Sequence, residues 1–155
     1  MEKPAILPAG FVVFSDGASR GNPGPSAIGV LVLGTDGREL EAVGEFIGDA
    51  SNNEAEYRAL LRGLELAAKH TNGALDVCSD SEVVVRQLTG AYATRNPRLS
   101  RLQAQVRVAE ASFAEVRYAW VPREHPGAVR ADALANAPLD RLGLAKFGWK
   151  GTKGR

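Results

Sequence analysis

The chain has 155 residues, enough for one ordinary domain with a real core. Hydrophobic residues make up 45% and charged residues 24%, a globular balance that excludes a disordered chain. Nineteen basic and eighteen acidic residues leave a net charge of +1, so no broad basic field exists. A nucleic-acid role must then rest on particular residues.

Residues 1–10 read as an N-terminal extension. They carry Glu2, Lys3, Pro4 and Pro8 and lack the apolar core of a signal peptide. Phe11 to Phe14 is a short β-type run ending at Asp16, followed by the turn formers Gly17 to Pro25. Ile28 to Leu33 is a second β-branched run. Asp36-Gly37 turns the chain into a third strand near Glu39 to Ile47, completing an antiparallel meander.

The period then changes. Ser51-Asn52-Asn53-Glu54 has the spacing of a helix capping box. Beyond it Tyr57, Leu60, Leu61, Leu64, Ala67 and Ala68 recur at helical spacing, to an end near His70 to Gly73. Ala74 to Ser79 reads as a buried strand. It contains the single cysteine, Cys78, which reads as a small buried thiol and suits a reducing compartment. Glu82 to Leu88 is a short helix and Pro97 to Phe113 another. Val116 to Val121 is a fifth strand, Pro122 to Gly127 a loop and Ala128 to Leu142 a final helix. Residues 143–155 form a basic tail, with Lys146, Phe147, Trp149, Lys150, Lys153 and Arg155. The expected fold is α/β: a five-stranded mixed sheet, three antiparallel strands followed by parallel ones, flanked by helices. No segment nears the roughly 20 apolar residues of a membrane helix. The expectation is a cytoplasmic protein with no membrane partner.

Four carboxylates stand out by position. Asp16 ends the first apolar run, Glu56 lies early in the first helix, Asp80 follows the fourth strand, and Asp132 lies near the start of the last helix. If the first and fourth strands are neighbours, all four acids can converge. Convergent carboxylates repel unless a cation holds them. Oxygen ligands without His or Cys clusters favour Mg²⁺ or Mn²⁺ over zinc. Two such ions, roughly 4 Å apart, can activate water and stabilise the leaving oxygen of a phosphodiester.

The flanking residues resemble a known family. Phe14-Ser15-Asp16-Gly17-Ala18-Ser19-Arg20-Gly21-Asn22-Pro23-Gly24-Pro25 is similar to the opening signature of type 1 ribonuclease H. Ser51-Asn52-Asn53-Glu54-Ala55-Glu56-Tyr57, Cys78-Ser79-Asp80-Ser81 and Arg130-Ala131-Asp132-Ala133-Leu134-Ala135 resemble its three later motifs, in order. The resemblance spans Phe11 to about Ala137 and implies a catalytic domain over residues 11–142. It implies a monomeric, sequence-independent endonuclease that hydrolyses the RNA strand of RNA–DNA hybrids with two Mg²⁺ or Mn²⁺ ions per site. Asp16, Glu56, Asp80 and Asp132 match its metal-binding catalytic acids. Glu56 is chosen over Glu54 by its spacing from Asn53, which leaves Glu54 to the capping box. Asn22 and Ser51 match residues that hold a phosphate of the DNA strand, and Asn52 and Asn53 match residues that reach the minor groove. Gly17 and Gly21 let the backbone approach substrate.

Some residues depart from the family. Glu82 falls where many members carry glutamine. In Pro122-Arg123-Glu124-His125-Pro126-Gly127 the loop is two residues short, and Ala128 replaces an asparagine. His125 matches the family's mobile catalytic histidine when counted back from Asp132; Arg123 is its rival. The basic, Trp-rich protrusion of some bacterial members is missing from Thr89 to Pro97, and the basic tail is a candidate substitute for it. Other readings are the same site acting on double-stranded RNA or isolated ribonucleotides in DNA, and a hybrid-binding module that no longer cuts. The four acids argue against that module, and the Gly-Asn-Pro-Gly segment argues against a transposase or resolvase.

Overall fold

The computed structural model describes residues 10–90 and 94–144. Within them the order is β1 (Phe11–Ser19), β2 (Gly24–Leu33), β3 (Glu39–Ala50), α1 (Asn52–Ala67), β4 (Ala74–Ser79), α2 (Glu82–Leu88), α3 (Pro97–Glu110), β5 (Glu115–Trp120) and α4 (Pro126–Arg141). The N-terminal extension up to residue 9 and the cationic and aromatic residues expected at 146–155 lie outside the described residues.

The five strands form one sheet in the order β3-β2-β1-β4-β5. β1 pairs antiparallel with β2 and parallel with β4, so the chain's first strand sits at the centre of the sheet. The mixed sheet agrees with the sequence reading. β1 continues to Ser19 instead of ending at Asp16, because its turn-rich end pairs with β2 as far as Ser19↔Ser26. α3 ends at Glu110, three residues before its expected end, and α4 begins two residues early, with Pro126 at its first turn and His125 as N-cap. Proline suits that first turn because its missing N–H would have had no helical partner.

Each sheet face buries its own layer. Val13, Val30, Val32, Leu75 and Val77 meet Tyr57, Leu60 and Leu64 of α1, with Val84, Leu99 and Val106 of α2 and α3. On the opposite face Val12, Phe14, Leu31 and Cys78 meet Ala128 and Ala131 of α4. The alternation of β1 therefore sends Val13 towards α1, and Val12 and Phe14 towards α4.

Asp16 lies opposite Gly29 in the β1–β2 ladder, and Gly29 lies opposite Gly44 in the β2–β3 ladder. α4 crosses this row with its backbone nearly on the sheet. A Cβ on Gly29 would lie 2.2 Å from the Ala131 carbonyl oxygen, and one on Gly44 would lie 2.2 Å from that of Leu134. The Leu134 carbonyl is also the one that Pro138, four residues on, has no N–H to meet. Two side-chain-free positions thus bring α4, and with it Asp132, down to the row of Asp16. Gly29→Ala should force helix and sheet apart and cost about 1–3 kcal/mol. A urea denaturation midpoint equal to that of the parent protein would contradict this packing account.

Candidate active site

The parallel β1–β4 register runs from Phe11↔Leu75 to Phe14↔Cys78. Two residues beyond its last pair, the two chains supply Asp16 and Asp80. α1 enters from the other face, with Ser51 as N-cap: its Oγ accepts from Glu54 N–H at 3.1 Å, and Glu54 Oε1 accepts from Ser51 N–H at 2.8 Å. Both halves of the expected capping box are present. This bond from the Ser51 backbone chiefly holds the Glu54 carboxyl below its usual range. Glu54 is thereby committed to the helix end, and Glu56 turns inward.

α1 approaches closely at Gly17. A Cβ there would lie 2.5 Å from the Ala55 carbonyl carbon and 2.6 Å from Glu56 N. Across this contact Gly17 N–H donates to Glu56 Oε1 at 3.1 Å. One carboxylate oxygen each from Asp16, Glu56 and Asp80 lies within 4.8 Å of the others. Asp132 reaches the same cavity from α4. Its volume is about 450 Å³, and its lining includes Gly17, Arg20, Arg123 and Asn136 besides the four acids. A larger cleft of about 590 Å³ lies between β3, α1 and α3. The carboxylates there are Glu45 and Glu65, each paired with Arg62, so it holds no uncompensated cluster.

Electrostatics set the acidic cavity apart. Burial, then repulsion from Glu56 and Asp80, pushes the Asp16 carboxyl far above the ordinary carboxylate range. Glu56 is raised by burial and by Asp80, against the Gly17 N–H, which favours its charged form. Asp80 is raised by burial; Arg123 opposes that shift and Asp132 adds to it. One buried and three half-buried carboxyls share one space without enough positive charge. The donors are all oxygen, and they fit a hard divalent cation.

Asn22 and the start of α1 are joined: Asn22 Oδ1 accepts from Asn52 N–H at 2.9 Å. Asn22, Asn52 and Asn53 are exposed, and Ser51 is half-buried at the same corner. Five expected contact residues, Gly17 among them, therefore sit around the start of α1 beside the cavity.

His125 is not placed with the acids. Its Nδ1 accepts from Gly127 N–H at 3.0 Å, capping α4, and its ring packs on Phe14 at 5.1 Å between centroids. It lines apolar hollows with Val12, Phe14 and Leu33. Arg123, two residues before this cap, lines the acidic cavity instead. The sequence reading also missed Arg20 and Asn136. An arginine among turn formers, and an asparagine four residues after Asp132 in an apolar helix, were the available signals.

A mixed sheet with β1 at its centre, helices on both faces and carboxylates gathered at the end of β1 defines the ribonuclease H-like class. A family model described as reverse transcriptase-like matches residues 14–137. Ribonuclease HI of Halobacterium salinarum is 43% identical over 127 residues, which are 82% of this chain and 63% of that protein. The chain thus spans less than two thirds of that relative's length. The crystal structure of RNase H1 from the same halophilic archaeon is 42% identical, with a TM-score of 0.80 over 84% of this chain and 98% of that one. LC11-RNase H1, crystallised in complex with an RNA/DNA hybrid, is 34% identical, with a TM-score of 0.78 over 85% of this chain and 98% of that one. The chain belongs to the type 1 ribonuclease H family.

The raised carboxyls have a sign-defined consequence in chelator. Below about pH 4 folded and unfolded chains both hold these protons. As pH rises, the unfolded chain releases them first, so the folded state loses stability. Asp16→Asn removes that loss. In chelator it should melt measurably above the parent protein at pH 8, since each pKa unit of such a shift is worth roughly 1.4 kcal/mol. The gap should be smaller at pH 5. Calorimetric melting of both proteins decides; a variant that melts lower at pH 8 would contradict the electrostatic account.

Proposed function

We propose that the chain is an endonuclease that hydrolyses the RNA strand of RNA–DNA hybrids without sequence preference. The observation that carries this reading is the clustering of Asp16, Glu56 and Asp80 within 4.8 Å, beside Asp132, on a ribonuclease H fold. The hybrid-bound state of LC11-RNase H1 supports the substrate class.

Asp16, Glu56, Asp80 and Asp132 would hold Mg²⁺ or Mn²⁺, two ions per site. When bound, the ions activate water and stabilise the leaving oxygen of an in-line phosphodiester displacement. The Gly17 N–H fixes one oxygen of Glu56, so this carboxylate is oriented before any ligand arrives. Asn22 and Ser51 take a phosphate of the DNA strand. The Asn22 Oδ1 is engaged by the α1 backbone, which turns its Nδ2 donors to that task. Asn52 and Asn53 read the minor groove, where hydroxyl and amide groups are met without regard to base. A 2′-hydroxyl on the cut strand separates hybrid from DNA duplex.

Arg123 takes the place expected of His125, in a different chemical role. A guanidinium has five donors and stays protonated, so it cannot relay a proton. It can hold the scissile phosphate and offset charge that develops on it. The catalytic domain occupies residues 11–142, flanked by the extension at 1–10 and the basic tail at 143–155. The protein acts as a monomer in the cytoplasm. Among the described residues no helix is long and apolar enough to cross a membrane.

Cleavage of a hybrid, a double-stranded RNA and a DNA duplex, each with Mg²⁺, Mn²⁺ or chelator, tests the reading. The hybrid should be cut in its RNA strand only with a divalent ion, and the DNA duplex should stay intact. Asp16→Asn should lower hybrid cleavage by more than about 10³-fold while the protein remains folded. Efficient cutting of DNA duplex, or retained activity in Asp16→Asn, would refute the assignment. Arg123→Ala should lower kcat about 10- to 100-fold. His125→Ala should leave kcat within about twofold and lower stability by about 1 kcal/mol through the lost cap. The reverse pattern would return the catalytic role to His125.

A further inference from the structure

Arg20 is a buried cation next to the acidic cavity, with a side chain only 1% exposed. A guanidinium removed from water needs its donors satisfied. Nη1 donates to the Leu144 carbonyl at 2.8 Å, and Nη2 donates to Asn136 Oδ1 at 2.7 Å and to Asp140 Oδ1 at 3.1 Å. Asn136 is buried as well, and its Nδ2 donates to the Asp132 carbonyl at 2.9 Å and to Asp132 Oδ1 at 3.1 Å.

The chemistry of the two groups makes this chain directional. Arginine only donates, so the amide must turn its oxygen towards Arg20. Its NH₂ group is then forced towards Asp132, where it meets an acceptor. One carboxylate oxygen of Asp132, Oδ1, is thereby fixed. A helix side chain facing an open cavity would otherwise sample several rotamers.

We infer that Arg20 and Asn136 are positioning residues that aim the Asp132 carboxylate and thereby set the protein's affinity for its divalent cation. The inference rests on the proposal that Asp132 is a metal ligand. Arg20 acts through Asn136, and Asn136 acts through Asp132. Partners behind metal-binding carboxylates typically change metal affinity by about 10- to 100-fold when removed.

The test is Mn²⁺ binding by calorimetry, well below the melting temperature, on the parent protein, Asn136→Ala, Asp132→Asn and the double variant. Alanine suits a helix, and the vacated space adjoins the open cavity, so water can reach Arg20. Asn136→Ala should bind Mn²⁺ about tenfold or more weakly. It should need about tenfold more metal for half-maximal hybrid cleavage, with an unchanged KM for hybrid at saturating metal. The double variant should bind no more weakly than Asp132→Asn alone, because the two residues act in series. Parent-like Mn²⁺ affinity in Asn136→Ala, beside a loss in Asp132→Asn, would overturn the relay and leave the metal reading of Asp132 standing. Parent-like affinity in both would overturn that reading and the relay with it. Should Asn136→Ala fail to fold, Arg20→Lys supplies the measurement: it keeps the charge but not the fork, and unchanged Mn²⁺ affinity in it would overturn the inference.

Discussion

Repulsion among crowded carboxylates, one of them buried and the others half-buried, is the constraint on which this structure turns. Asp16 is 7% exposed, and Glu56 and Asp80 bring oxygens within 4.8 Å of it. In a medium less polar than water such charges are costly to hold together. A chain stabilised only by packing would not gather them. The arrangement makes physical sense as a site whose missing positive charge arrives with a ligand, and much of the local architecture is devoted to keeping the acids in place without it.

That architecture is built from close backbone approach. At Gly17 the start of α1 comes within van der Waals reach of β1, and the same glycine's N–H fixes Glu56. At Gly29 and Gly44 α4 lies against the other face of the sheet, level with Asp16. Two helices on opposite faces are thereby drawn towards one end of β1. The capping box at Ser51 and Glu54 sets where α1 begins, and hence which of two nearby glutamates points inward. Two positive groups line the same cavity: Arg20 is tied to Asn136 and Asp140, and Arg123 opposes the upward shift of Asp80.

The sequence carried the local information well. Ala74–Ser79 and Glu82–Leu88 fall where hydrophobic period and turn residues place them, and the capping box has both of its expected bonds. The boundaries that differ are those fixed by distant partners. β1 runs through Gly17 to Ser19 because β2 lies beside it, which no local propensity encodes. His125 aligned with a catalytic position by counting along the chain. Its ring instead found Phe14 and its Nδ1 found the α4 backbone, while Arg123 took the cavity. Arg20 and Asn136, 116 residues apart, form a buried hydrogen bond that no spacing rule could connect. Convergence of the four acids was readable because Asp16 and Asp80 fall just past the parallel pairing of β1 with β4, and Glu56 and Asp132 lie within the first two turns of α1 and α4, where α/β folds place their sites.

The central claim is that these acids form a cation-binding centre and not merely a strained surface. Anomalous scattering from Mn²⁺ in crystals of the protein bound to an RNA–DNA hybrid tests it most directly. Peaks enclosed by the carboxylates of Asp16, Glu56, Asp80 and Asp132, against the hybrid's backbone, are the predicted result. A hybrid seated on the protein with no Mn²⁺ among those four side chains would contradict it.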